Sequence, residues 1–308
     1  MRNAQLSYSC PKCNGQSFKR SGSYTRPSDG KIVQRYRCKC CGKSFSDQTF
    51  SYDYRQRKRH VNQMIFRCLC SGVSQRRTAL ILGINVKTVD RRVPSYGKAC
   101  KQNLRVLRKK YTCKEIFFDE MESFEHTKCK PVTLPMAVDA DNQKILAIST
   151  GNIAAKGLLA EISRKKYGPR KCERNKALND MFEQLKELYS QDFQISTDSS
   201  PHYPKKVAKD FPENNYVKYK GRRACVVGQG ELKAGGFDPL FSLNHAYAMI
   251  RDGLKRLARR TWCTTKRLEN LNYMLHIYAF FHNQYQDNVM PRIYDCKEAQ
   301  PKSLACQT

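Results

Sequence analysis

Cysteine is the first residue type whose spacing points to chemistry. Cys10-Pro-Lys-Cys13 and Cys38-Lys-Cys40-Cys41 are two C-x-x-C knuckles with 24 residues between them. Thiolates from two such turns close a tetrahedron around Zn²⁺, and four sulfur ligands leave no position for water or substrate, so the metal expected here is structural. Cys40 is the spare, because Cys38 and Cys41 keep the two-residue interval. Gly42 permits the tight turn that points amides at the sulfurs, and Tyr36 and Phe45 supply a small sheet with the little core it has. The other ten cysteines, scattered from Cys68 to Cys306, read as core or incidental thiols.

Catalysis therefore has to lie elsewhere, and Asp119 and Asp198 are the candidates. Asp119 ends the apolar run EIFFDE and Asp198 follows FQIST, so both stand at the ends of expected strands. Two carboxylates on neighbouring strand ends suit Mg²⁺ or Mn²⁺, which take oxygen ligands and keep positions open for phosphate and water. Two such ions roughly 3.5–4 Å apart activate the attacking oxygen and stabilise the leaving one in phosphoryl transfer. A single Asp after a strand is more often a turn residue; the order of elements gives this pair its weight. Downstream, in SLNHAYAMIRDGLKRLARRTW, residues Asn244, Arg251 and Lys255 fall within about 20° of one line on a helical wheel. That face offers one oxygen ligand and two cations for phosphate. Strand alternation turns Glu120 away from Asp119, leaving Glu120 and Glu122 as local support or solvated acids. Trp262 reads as packing in preference to a platform for a flipped base.

These residues need elements to hold them. IFFDEM, LPMAVDA and KILAIST read as short buried strands, ALNDMFEQLKELYS as a helix and FQIST as a further strand. A glycine-rich loop, VVGQGELKAGG, precedes a mostly helical remainder that ends in an amphipathic helix through Leu268, Leu271, Leu275 and Tyr278. Upstream, Lys58 to Arg92 holds a helix with apolar Val61, Met64, Ile65 and Leu69. A second helix capped by Ser74 follows, then a turn at Gly83, then a third helix from about Val86, with Val89 and Ile84 facing inward. In this helix-turn-helix the third element is the recognition helix, with Asn85, Lys87, Thr88, Arg91 and Arg92 at its exposed start and flank.

Charge agrees with that reading. The net charge is +30, and residues 1–110 carry 26 Lys and Arg against 4 Asp and Glu, while the rest carry 31 against 23. Such a front third is a footprint for nucleic acid, since each phosphate contact releases counterions. There is no long apolar run and no apolar core of a signal peptide, so the expectation is a cytoplasmic, nucleoid-associated protein. The chain divides on composition into a zinc ribbon (1–50), a helix-turn-helix domain (54–110), an α/β catalytic domain (111–285) and a polar tail (286–308).

The two knuckles, the helix-turn-helix, FFDEMES, STDSSPHYP and LKRLARRTWCTTKR together resemble the DDE transposases of short prokaryotic insertion sequences. The likeness is greatest to the insertion-sequence-one type and its relatives with a zinc-ribbon start, and it spans most of residues 10–285. It implies a ribonuclease H-like fold, two Mg²⁺ held by two Asp and a Glu, cleavage at element ends, joining to target DNA, and a homodimer or higher assembly on DNA. Asp119 matches the first family acid and Asp198 the second. The third position departs: Asn244 stands where the family usually has Glu, with Arg251 on the basic residue seven further on. Asp252, Glu231 and His245 compete for that third place. Two alternatives follow, a DNA-binding regulator with an inactive nuclease-like domain and a structure-selective DNA nuclease.

Overall fold

A computed structural model describes residues 8–220, 238–258 and 262–295. Two compact units divide the chain, Met1–Gln63 and Met64–Thr308.

In the first unit, β1 (Phe18–Thr25), β2 (Ile32–Cys38) and β3 (Ser44–Ser46) form an antiparallel meander. One face gathers Phe18, Tyr36 and Phe45, with ring centroids 5.3 to 5.6 Å apart, against Cys10 and Cys38. A core this small does not offset the entropy of ordering the chain by itself, so this unit needs a cross-link or a metal.

The second unit begins with three helices, α1 (Asn62–Cys70), α2 (Gln75–Ile81) and α3 (Val86–Arg108). Their starts follow the local chemistry: the Ser74 hydroxyl accepts from the Arg77 amide, and the Asn85 side-chain Oδ1 accepts from the Lys87 amide at 2.9 Å. Gly83 takes φ +60° in the turn between them. Met64, expected on the apolar face of α1, is exposed, whereas Ile65, Phe66 and Leu69 are buried. α3 does not stop where a small three-helix module would. It runs for 23 residues and packs its Val93, Tyr96, Cys100 and Leu104 side against α8 (Leu268–Gln286). For that reason α8 is buried nearly all round and lacks the polar face expected of it. Beyond α8 the chain stays packed. Asn103 donates to the Tyr294 carbonyl at 2.6 Å, Arg67 donates to that of Pro291 at 3.0 Å, and Ile293 is buried.

The central sheet contains β4 (Glu115–Phe124), β5 (Pro131–Asp139), β6 (Ile145–Ile148), β7 (Gly151–Asn152), β8 (Gln194–Asp198) and β9 (Tyr216–Tyr219). Its order is β6-β5-β4-β8-β9, with β7 paired to β5. β4, β5 and β6 are antiparallel neighbours, and β8 pairs parallel with both β4 and β9. The connections carry α4 (Leu159–Tyr167), α5 (Arg174–Leu185), α6 (Tyr203–Asp210) and α7 (Phe241–Gly253). Leu178, Met181, Phe182 and Leu185 of α5 cover Ile116, Phe118 and Ile195 on one face of the sheet. α7 packs on β4 and β5, burying Leu243, Ala246, Tyr247 and Ile250. The result is a mixed α/β unit with a mixed sheet. α4 and β9 carry weak apolar patterns and were not among the expected elements. Among the described residues no helix is long and apolar enough to cross a membrane.

α7 ends at Gly253, so Lys255 lies in the turn beyond it and not on the helical line expected through Asn244 and Arg251. Close packing explains the glycine: a Cβ there would sit 2.8 Å from the Cys70 carbonyl oxygen and against the Tyr278 ring, and the Gly253 carbonyl accepts from the Gly72 amide at 2.7 Å. Gly253→Ala is expected to lower stability by about 1–3 kcal/mol, the usual penalty of overpacking. Urea denaturation of the two proteins checks it, and an unchanged midpoint would contradict this packing.

Candidate metal and catalytic sites

The four predicted cysteines come together. Cys10 Sγ lies 3.5 Å from Cys41 Sγ, Cys13 Sγ lies 3.6 Å from Cys38 Sγ, and all four sulfurs are within 4.8 Å of one another. A tetrahedron with zinc–sulfur bonds of roughly 2.3 Å has edges of roughly 3.8 Å, so the donor set fits a structural metal such as zinc. Both knuckles are built alike. The Cys10 amide donates to the Gly15 carbonyl and the Cys38 amide to that of Lys43, each at 2.9 Å, and Asn14 and Gly42 take φ +55° and +70°. Backbone amides of Cys41 and Cys40 pull the Cys38 thiol down to about 6, towards the thiolate a metal requires. Cys40 is exposed and stays outside the group.

Asp119 and Asp198 are brought level by strand register. β4 and β8 pair Glu115 with Gln194, Ile116 with Ile195 and Phe117 with Ser196. Two residues further along both parallel strands, on the same face, stand Asp119 and Asp198. Burial first, and then the charges of Asp198 and Glu120, push the Asp119 carboxyl up to about 6 against the pull of the Glu120 amide.

Asp119 is held on both sides. Its Oδ1 accepts from the Glu120 amide at 2.6 Å and from the Tyr203 hydroxyl at 3.0 Å, which directs both bonds to one oxygen. Its carbonyl accepts from the Tyr247 hydroxyl of α7 at 2.5 Å. Burial and the neighbouring carboxylates raise both tyrosines, so they stay protonated donors. Neither tyrosine carried a role in the sequence reading. Tyr203 stands five residues after Asp198 at the start of α6, and that interval was the available signal. Glu120 does not turn wholly away: its Oε1 is bound by the Thr133 hydroxyl at 2.8 Å and by Arg174 at 3.6 Å, while its Oε2 lies 3.4 Å from the same Tyr203 hydroxyl that donates to Asp119. Tyr203→Phe keeps the ring contact with Phe118 at 4.9 Å and deletes only the hydroxyl. It is expected to lose about 2 kcal/mol of stability at pH 8, where Asp119 is ionised, and less at pH 5. Equal losses at both pH values in urea titrations would contradict the Tyr203–Asp119 bond.

The remaining predicted residues separate. Asn244 is exposed and donates to the Asp238 carboxylate at 2.9 Å. Arg251, half-buried on the same helix, acts electrostatically on the buried Tyr247. His245 stacks on Phe241 at 5.7 Å and acts on His282, away from Asp119. Asp252 acts on Tyr278, and Glu231 lies outside the described residues. Among the described residues, the four cysteines are the one cluster of three or more side chains arranged to hold a metal; Asp119 and Asp198 form no such cluster with a third group, although the Glu120 carboxylate shares the Tyr203 hydroxyl with Asp119. At the start of α3, Asn85, Lys87 and Arg91 are exposed and Thr88 is half-buried, but Arg92 is buried, because position 92 turns inward beside Val89 and Val93. Trp262, expected to pack, is fully exposed. No protein-family model and no curated protein matches the chain.

Proposed function

We propose that this protein is a transposase that binds the ends of its own insertion element and, with Mg²⁺ or Mn²⁺, cuts and joins DNA. The observation that carries this reading is the parallel register that sets Asp119 level with Asp198. The sheet around them supports a ribonuclease H-like fold: counting its long strands in chain order, they lie third-second-first-fourth-fifth, with the second antiparallel to the first. Asp119 and Asp198 would hold the catalytic metal, which supplies Lewis acidity at the phosphate. Asn244, one turn before Tyr247, would offer its carbonyl oxygen as third ligand, and Arg251 and Lys255 would bind phosphate. α2 and α3 act as the helix-turn-helix, with Lys87 and Arg91 reaching DNA. Synapsis of two ends calls for a homodimer or higher assembly on DNA.

Purified protein with Mg²⁺ is expected to nick a duplex bearing the inverted repeats that flank its gene in preference to a scrambled duplex or a four-way junction. Preference for the junction would replace the reading with a structure-selective nuclease. Asn244, standing where the resembling family usually has Glu, favours a second reading, a DNA-binding regulator without catalysis. Tight binding to one sequence with no nicking in Mg²⁺ or Mn²⁺ would establish it.

A further inference from the structure

The outer face of the amino-terminal sheet carries a cluster of cations that the fold does not neutralise. Cross-strand partners share a face, so the pairs Phe18–Cys38 and Tyr36–Phe45 define the inner, aromatic side. Lys19 pairs with Arg37, and Arg35 is two residues before Arg37 on the same strand; these three point the other way and all are exposed. Like charges directly opposite each other on a sheet are destabilising. Nothing in the first unit relieves them. Its acids are Asp29, Asp47 and Asp53, and each is used: Asp29 pairs with Arg26, Asp53 with Arg59 at 2.9 Å, and Asp47 bonds to Tyr8 and Tyr36. Among the described residues no ion pair involves Lys19, Arg35 or Arg37.

We infer that this face is a second, sequence-independent DNA-binding surface, whose ligand is the phosphate backbone of duplex DNA. It rests on the proposed function only for the identity of the polyanion. Successive cations along β2 are about 7 Å apart, and Lys19 sits about 5 Å across from Arg37, a spacing that lets all three face one sugar-phosphate strand. The face is poor in stacking platforms. Among the described residues of its three strands, Tyr24 is the exposed aromatic ring, and the Arg35 guanidinium already lies 5.5 Å over its centroid. Proteins built for unpaired bases offer aromatic rings instead, so paired DNA is the better fit. Phosphate contacts hold orientation without reading bases, which complements recognition by α3.

The test uses the full-length zinc-loaded protein and the variant combining Lys19→Gln, Arg35→Gln and Arg37→Gln. Binding to an element-end duplex, a scrambled duplex and a single strand is followed across salt concentration. The variant is expected to lose about tenfold or more in affinity for both duplexes equally, and its salt slope should be shallower by about 2 to 3. Its zinc content should be unchanged, with a melting temperature equal or higher, because a repulsive pair has been removed. Unchanged duplex affinity and slope would overturn the inference while leaving the proposed function standing. A larger loss for the single strand than for duplex would overturn it in favour of unpaired nucleic acid. Failure of the wild type to bind any duplex at low salt would overturn both.

Discussion

Asp119→Asn is expected to abolish metal-dependent nicking, by about a thousandfold or more, while leaving duplex binding intact. That factor corresponds to roughly 4 kcal/mol of metal-held transition-state stabilisation. Asp198→Asn should do the same if, as proposed, the two carboxylates that the strand register sets level share one metal. The Asp119 variant carries a second expectation that a purely structural residue would not. Its carboxyl is raised to about 6 in the folded chain. A raised pKa means that the stability contributed by the protonated form is full below about 4 and is lost as the pH rises through about 6. Wild type without Mg²⁺ at pH 8 thus bears a penalty of up to about 3 kcal/mol, which the neutral amide removes. Zinc-loaded Asp119→Asn without added Mg²⁺ should melt higher than zinc-loaded wild type at pH 8, with a smaller gap at pH 6, and Mg²⁺ should close the gap at pH 8 by stabilising wild type alone. Nicking by both variants at wild-type rates would sink the transposase reading; a lower melting temperature for Asp119→Asn at pH 8 would refute the strained carboxyl.

Removal of zinc should unfold the first unit and leave the second folded. Structural zinc sites of this donor type contribute about 10–16 kcal/mol of apparent binding free energy. The core left without it, Cys10, Tyr36, Cys38 and Phe45 with Tyr8 and Phe18 against it, supplies far less. Cys13→Ser or Cys38→Ser should act as chelation does, whereas Cys40→Ser should be silent, because Cys40 lies outside the group. Acid should release the metal, since thiolates must be protonated before they let go. Amide spectra of the full chain, titrated with chelator, give the readout. Dispersed signals from residues 8–63 after zinc loss would contradict a structural role, and zinc loss from Cys40→Ser would contradict the assignment of ligands.

Much of this was legible in residue order because the signals were local. Two C-x-x-C turns close within a few residues, Ser74 and Asn85 cap helices through their own side chains, and the apolar runs at β4, β5, β6 and β8 read as strands. Each depends on near neighbours alone. Errors arose where distant segments decide. Arg92 is basic like Arg91, yet the helix turns it inward; Met64 is apolar, yet stays nearly half exposed; Trp262 is large and apolar, yet stands in solvent. The end of α7 at Gly253 depends on Cys70 and Tyr278, which are distant in sequence.

The amino-acid sequence alone determined that four cysteines form a metal-binding group, that the front of the chain is a polycation, and that Asp119 and Asp198 end strands. Spacing, charge and alternation are properties of the chain itself. Only the tertiary structure decided that those strands are parallel neighbours in a register that makes the two acids level. It also decided that Tyr203 and Tyr247 hold the first of them, and that Asn244 is tied to Asp238. Those facts depend on which strand pairs with which, and on where a helix stops, and both are settled by packing between segments far apart in the chain, 79 residues for the β4–β8 pairing and 84 for the Tyr203–Asp119 bond.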